Sequence, residues 1–187
     1  MVIREKLYTV DEFWDFITRP ENADRKFELI NGEIVEVTPT EEHGSVTTDL
    51  ITFLNVFVNQ YKLGRVVNEV SYKNPADVYN NRIPDISFTR AERLKPLVTE
   101  GASTQMPDLV IEVKSPGNTR KSLQEKAVYF IQNGVLLVWI VYPQERMVEV
   151  YRPGQAMETL GINDTLEGET VLPGFKLALG EVFQGSE

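Results

Sequence analysis

The sequence predicts an α/β (α+β) fold, a mixed central β-sheet flanked by helices with an N-terminal helix and a β-hairpin ahead of it. Three observations lead there. Residues 109–114 read as a buried strand, and residues 135–142 as a second one, apolar on both faces. Between them, Thr119 opens a helical pattern that reaches Asn133, and Gly134 suits its C-terminal cap. The order strand, helix, strand predicts a right-handed crossover onto a mixed sheet. Finally, Asn31-Gly32 sits between two short β-prone runs and supplies the positive φ angles of a tight hairpin turn.

Taken in order, Thr9-Val10-Asp11-Glu12 reads as a capping box opening a short helix through Ile17, because Glu12 can reach back to the Thr9 amide. The hairpin pairs residues 27–30 with 33–37. Residues 43–62 are helical in pattern, with Val46, Leu50, Phe53, Leu54, Phe57 and Tyr61 spaced by threes and fours along one stripe. Strands are expected near 65–71 and 86–89, with a loop over 74–82. After the central strand, helix and strand, residues 147–151 form a further strand, and the turn-rich tail from Arg152 carries short strands near 171–179. The 187 residues fit one domain with a sizeable core, with no repeat or long linker.

Composition excludes several chemistries. There is no cysteine, so disulfides, thiolate nucleophiles and cysteine-ligated metals are out. His43 is the only histidine, which rules out a multi-histidine metal centre. Any metal would sit among oxygen ligands, pointing to Mg²⁺ or Mn²⁺. The longest apolar run, residues 135–141, is far too short to span a membrane, and the N-terminus lacks a hydrophobic signal core, so a cytoplasmic location without membrane contact is expected. The formal charge of 19 − 28 = −9 argues against a broad basic surface for nucleic acid, though not against a local basic groove.

The chemistry-bearing segment is Pro107-Asp108-Leu109-Val110-Ile111-Glu112-Val113-Lys114. Strand alternation sends Leu109, Ile111 and Val113 to one face and Asp108, Val110, Glu112 and Lys114 to the other, with Glu112 and Lys114 roughly 6–7 Å apart at Cα. A carboxylate there can hold a metal, and an ammonium beside it can place a water or screen developing charge. An isolated Glu-x-Lys is equally a solvated strand face. One carboxylate holds Mg²⁺ weakly, so a second is needed. Asp108 is about 13 Å from Glu112 along the strand, too far to share an ion. Asp85, which follows Pro84 and opens the next strand, is better placed; otherwise it is a turn or cap aspartate. Lys126 lies on the flank of the apolar helix face and can snorkel past the core toward the sheet. Glu28 is a candidate third carboxylate, or else a hairpin surface charge. His43, near a helix start, reads as a capping or surface residue.

The chain resembles the PD-(D/E)XK phosphodiesterase superfamily in Pro84-Asp85 followed by Glu112-Val113-Lys114. The likeness runs from about Phe27 to Phe183: Glu28 to Glu33 around the Asn-Gly turn, His43, residues 84–88, residues 107–116, Lys126, Tyr129, Gly134-Val135, residues 139–141 and Leu172-Pro173-Gly174-Phe175. These segments resemble one branch of that superfamily, the Uma-two type "putative restriction endonuclease" family of bacterial domains. That resemblance implies a restriction-endonuclease-like fold. It also implies metal ligation by Asp85 and Glu112; for that ion the Val113 carbonyl is the candidate third ligand. Lys114 or Lys126 would stand beside the water, and Glu28 would be an accessory acid. Three departures stand out: both lysines are present, Ser122 replaces an acidic residue, and Tyr142 stands where an aspartate before proline is common.

The activity implied is Mg²⁺-dependent endonucleolytic hydrolysis of nucleic acid, in the first place DNA. Double-strand cleavage would favour a two-fold homodimer. The alternative is a nuclease-like fold retained for binding nucleic acid or a protein, which the acidic charge supports. Arg82, Arg90, Arg93, Lys95, Arg120 and Lys121 are the cations available to meet phosphate.

Overall fold

The computed structural model describes residues 6–184. They fall into two compact units. The first is built from the chain through Thr38, from Ser71–Ile83 and from Leu97–Met106; the second comprises Pro39–Val70, Pro84–Pro96 and the chain from Pro107 on.

In the first unit, helix α1 (Val10–Ile17) starts on the expected capping box: the Thr9 side chain accepts from the Glu12 amide and Glu12 accepts from the Thr9 amide. Strands β1 (Lys26–Ile30) and β2 (Glu33–Val37) pair antiparallel around Asn31 and Gly32, whose φ values of 51° and 84° are those a tight turn requires. Val10, Phe13, Phe27 and Leu29 form its small core. Residues 74–82 are loop-like, as expected, but tied down by bridges from Asn81 to Leu29 and from Arg82 to Tyr72.

The second unit holds a six-stranded mixed sheet. Helix α2 (Glu41–Tyr61) precedes β3 (Gly64–Asn68) and β4 (Ile86–Arg90); β5 (Leu109–Val113) leads through helix α3 (Arg120–Gln132) to β6 (Leu137–Tyr142), then β7 (Met147–Tyr151) and β8 (Glu158–Gly161). The strands lie in that order across the sheet. Only β5 and β6 run parallel, and α3 is the connection between them, as the strand–helix–strand order predicts.

Alternation along the strands assigns the faces. Leu109, Ile111 and Val113 of β5, Leu137, Trp139 and Val141 of β6, and Val148 and Val150 of β7 join one core with Val46, Leu50, Leu54 and Val58 of α2. The intervening residues Glu112, Ile140 and Glu149 therefore face the other side, where α3 packs with Leu123, Ala127 and Phe130 buried. The expected α2 stripe shifts slightly: Val58 completes it, and Tyr61, at the helix end, is exposed. Strands β9 (Thr165–Glu167) and β10 (Lys176–Ala178) form a separate hairpin-like pair leading into α4 (Leu179–Val182). Among the described residues, no helix is long and apolar enough to cross a membrane.

Candidate active site

The site is set by where β4 begins. The β4–β5 ladder ends at the pair Ile86↔Ile111. Continuing that register by one residue puts Asp85 opposite Glu112, with Cα atoms about 4.5–5.5 Å apart. Since β4 has not yet started there, the Val113 amide has no ladder acceptor on that side. Asp85 supplies one: its Oδ2 accepts from Val113 N at 2.7 Å. Asp85 thus caps the end of the ladder, with its backbone next to that of Glu112 by the continued register.

A second group meets the same oxygen. His43 lies in the first turn of α2, where its amide donates to the capping hydroxyl of Thr40 at 3.3 Å. Its imidazole Nε2 is 3.1 Å from Asp85 Oδ2, and the side chain is nearly buried. His43 is therefore part of the helix cap, as its position suggests, and also a neighbour of Asp85, which local sequence does not reveal.

Glu112 is buried on the α3 side of β5. A lone buried carboxylate would be costly, so a partner is expected. Lys126 of α3 is that partner, with Nζ 2.8 Å from Oε1 and 2.9 Å from Oε2. The lysine on the flank of the helix does reach the sheet, where it is buried against Glu112.

Lys114, one residue past β5, is placed differently. Its ammonium is 3.6 Å from Glu145 Oε1. Both line a polar cleft of about 220 Å³ with Glu42, Ser115, Pro116, Pro143 and Gln144. The ion pair on Glu112 is made by Lys126, and the one on Lys114 by Glu145. Glu28 belongs to the first unit, where it is buried and its Oε1 accepts from the Ile83 amide at 2.7 Å. Asp108 is fully buried and holds Arg90 (Nε to Oδ1, 2.9 Å) and Arg93 (Nη1 to Oδ1, 2.7 Å), a clamp at the far end of β5.

Sequence reasoning missed a buried carboxylate on the same sheet face. The registers Glu112↔Ile140 and Ile140↔Glu149 set Glu112 and Glu149 in one row across β5, β6 and β7. Glu149 has no solvent exposure. It accepts from Arg120 Nε at 2.7 Å, Tyr151 OH at 2.7 Å, Tyr142 OH at 3.0 Å and Gln124 Nε2 at 3.3 Å, and Arg120 Nη2 also donates to it. Burial alone would raise its pKa, but the hydrogen bonds from Tyr151, Arg120, Tyr142 and Gln124 prevail and hold it below the ordinary carboxylate value. Burial and the Glu149 charge push both tyrosines above the usual phenol range. The alternating Met-Val-Glu-Val-Tyr reads as a strand with one wet face; only the covering helix makes Glu149 a core residue.

The donor set suits a hard cation in kind: two opposed carboxylates, a nearby main-chain carbonyl at Val113, and an ammonium already seated against one carboxylate. Among the described residues no group of three or more His, Cys, Asp or Glu side chains is arranged to hold a metal, so main chain or water would have to complete the shell.

A family model described as Uma2, "Putative restriction endonuclease", matches residues 10–180. The fold is similar to that of a "putative nuclease belonging to DUF820" from Anabaena variabilis ATCC 29413. The two share 23% identity, the match covers 94% of this chain and 97% of that chain, and the TM-score is 0.79. A DrdV–DNA complex overlaps 78% of this chain and 12% of its own at 18% identity, with a TM-score of 0.44 that is too low to carry weight. No curated protein matches the chain.

Proposed function

Because this chain belongs to the Uma2 family, described as "Putative restriction endonuclease", we propose that it is a divalent-metal-dependent endonuclease acting on phosphodiester bonds, with DNA as substrate and Mg²⁺ or Mn²⁺ as cofactor. The observation that supports the reading is the Asp85 carboxylate just ahead of β4, held by the Val113 amide at 2.7 Å, with the continued β4–β5 register setting its backbone opposite Glu112.

Asp85 and Glu112 would hold the ion, with the Val113 carbonyl as main-chain donor. When bound, the ion would lower the pKa of the attacking water and offset charge on the scissile phosphate. Glu112 cannot give both oxygens to an ion while Lys126 Nζ sits 2.8–2.9 Å from each. With an ion held there, Lys126 would be displaced from Glu112 and be available to orient the water or screen charge in the transition state. Lys114, at the end of the same strand, is the second ammonium that can serve this purpose. Cutting both strands of a duplex would call for a two-fold homodimer.

The Lys126–Glu112 pair also favours a second reading, in which the fold binds nucleic acid or protein without turnover because Glu112 stays blocked. Calorimetry with Mn²⁺, run beside a DNA-cleavage assay, separates the two. The nuclease reading expects Mn²⁺ binding and cleavage in the wild type and neither in Asp85→Ala. Unchanged Mn²⁺ affinity in Asp85→Ala ends the metal assignment; metal binding with no cleavage of any DNA or RNA supports the binding module.

A further inference from the structure

We propose that Glu149 and Arg120 are positioning residues that fix helix α3, and through it Lys126, against Glu112; the functional part of this inference rests on the reading of Glu112 as a metal ligand. Glu112, Ile140 and Glu149 form one row across the sheet. Glu112 and Glu149 stand on either side of β6, about 10 Å apart at two strand spacings, and both face α3.

The helix answers each with a different flank. Gln124 and Lys126 are two residues apart, so they project about 200° from one another around the axis. Gln124 turns to Glu149 on β7 and Lys126 to Glu112 on β5. Arg120, one turn before Gln124, joins the Glu149 side. Leu123, Ala127 and Phe130 fill the space between. Two opposed polar anchors on either side of an apolar ridge fix the roll of a helix about its own axis, which apolar contacts alone permit more freely because they are not directional.

Glu149 suits this role in its hydrogen bonding. Arg120 and Gln124 come from α3, Tyr142 from the end of β6 and Tyr151 from the end of β7, and all converge on one carboxylate. The Arg120 guanidinium also lies over the Tyr142 ring at 5.3 Å. Releasing this anchor frees α3 to roll, and Lys126, on the opposite flank, is the group that moves most with respect to the sheet.

The test follows the Lys126 ammonium by NMR in protein carrying ¹⁵N-labelled lysine. Lys126→Arg identifies the signal by its absence. The wild type is expected to show a slowly exchanging Lys126 signal, and Glu149→Gln and Arg120→Met to shift it or broaden it away. Mn²⁺ should bind both variants more tightly by about threefold or more, because a loosened ammonium competes less for Glu112. A purely structural role predicts a lower melting temperature with the Lys126 signal and Mn²⁺ affinity unchanged, and that result overturns the proposal. So does a wild type with no protected Lys126 signal. Should Glu149→Gln fail to fold, Arg120→Met decides alone, since that side chain is half exposed. If the wild type binds no Mn²⁺, the metal reading fails while the ammonium signal still decides the positioning of α3.

Discussion

Glu149 keeps a charge where no water reaches it because its two oxygens receive an arginine, an amide and two phenols. Its folded-state pKa lies below the ordinary 4.5, so the network adds stability above that value and loses it as pH falls further. Melting temperature measured against pH should therefore drop more steeply below about pH 4.5 in the wild type than in Glu149→Gln, which has no proton to take up at that position. An acid limb equally steep in both would mean that other carboxylates carry it. At this scale the sequence is legible where a residue's placement follows from its own element. Glu112 follows from strand alternation and Lys126 from helical phase. Asp85 follows from opening a strand next to β5. Glu149 and the imidazole of His43 are not legible, because each is defined by a partner from a distant segment: α3 for Glu149, and the start of β4 for His43.

The elements read well where periodicity is strong and poorly where a few residues must be placed by tertiary pairing. The α1 capping box, the Asn-Gly turn, the α3 caps and β7 follow directly from side-chain chemistry and spacing. The β8 strand, by contrast, is polar and short, and exists because β7 offers it a ladder. The start of β3 shows a constraint of the same kind. Gly64 has φ +155°, and a Cβ there would lie 2.1 Å from the Thr89 carbonyl oxygen of β4. Gly64→Ala should therefore cost about 1–3 kcal/mol by forcing β3 and β4 apart. Gly44, inside α2 with nothing within 4 Å of such a Cβ, should behave oppositely, with Ala stabilising by roughly 0.5–1 kcal/mol. Urea denaturation of both variants measures the contrast; a neutral Gly64→Ala would show that the two strands can separate at no cost.

Over the whole chain, the charge of −9 sets the terms for meeting a polyanion. The local cations that could offset it are largely committed. Arg90 and Arg93 hold Asp108, Arg120 holds Glu149, Arg82 is buried, and Lys121 pairs with Glu125 at 3.7 Å. Lys121 is nonetheless mostly exposed, and a pair of that kind is weak enough to exchange its carboxylate for a phosphate. Few cations remain to contact phosphate, so binding should be weak, with a slope of log affinity against log salt of magnitude about 2–3. In the proposed site, a divalent ion held by Asp85 and Glu112 would add positive charge where phosphate must approach. Titrating fluorescent single- and double-stranded DNA and RNA across a salt series, with Ca²⁺ or EDTA, should show binding strengthened by Ca²⁺ and lost with salt. Asp85→Ala should lose the Ca²⁺ enhancement while keeping the weak salt-dependent background. Tight binding in EDTA that ignores salt would require a contact surface that does not depend on charge, and would overturn this account.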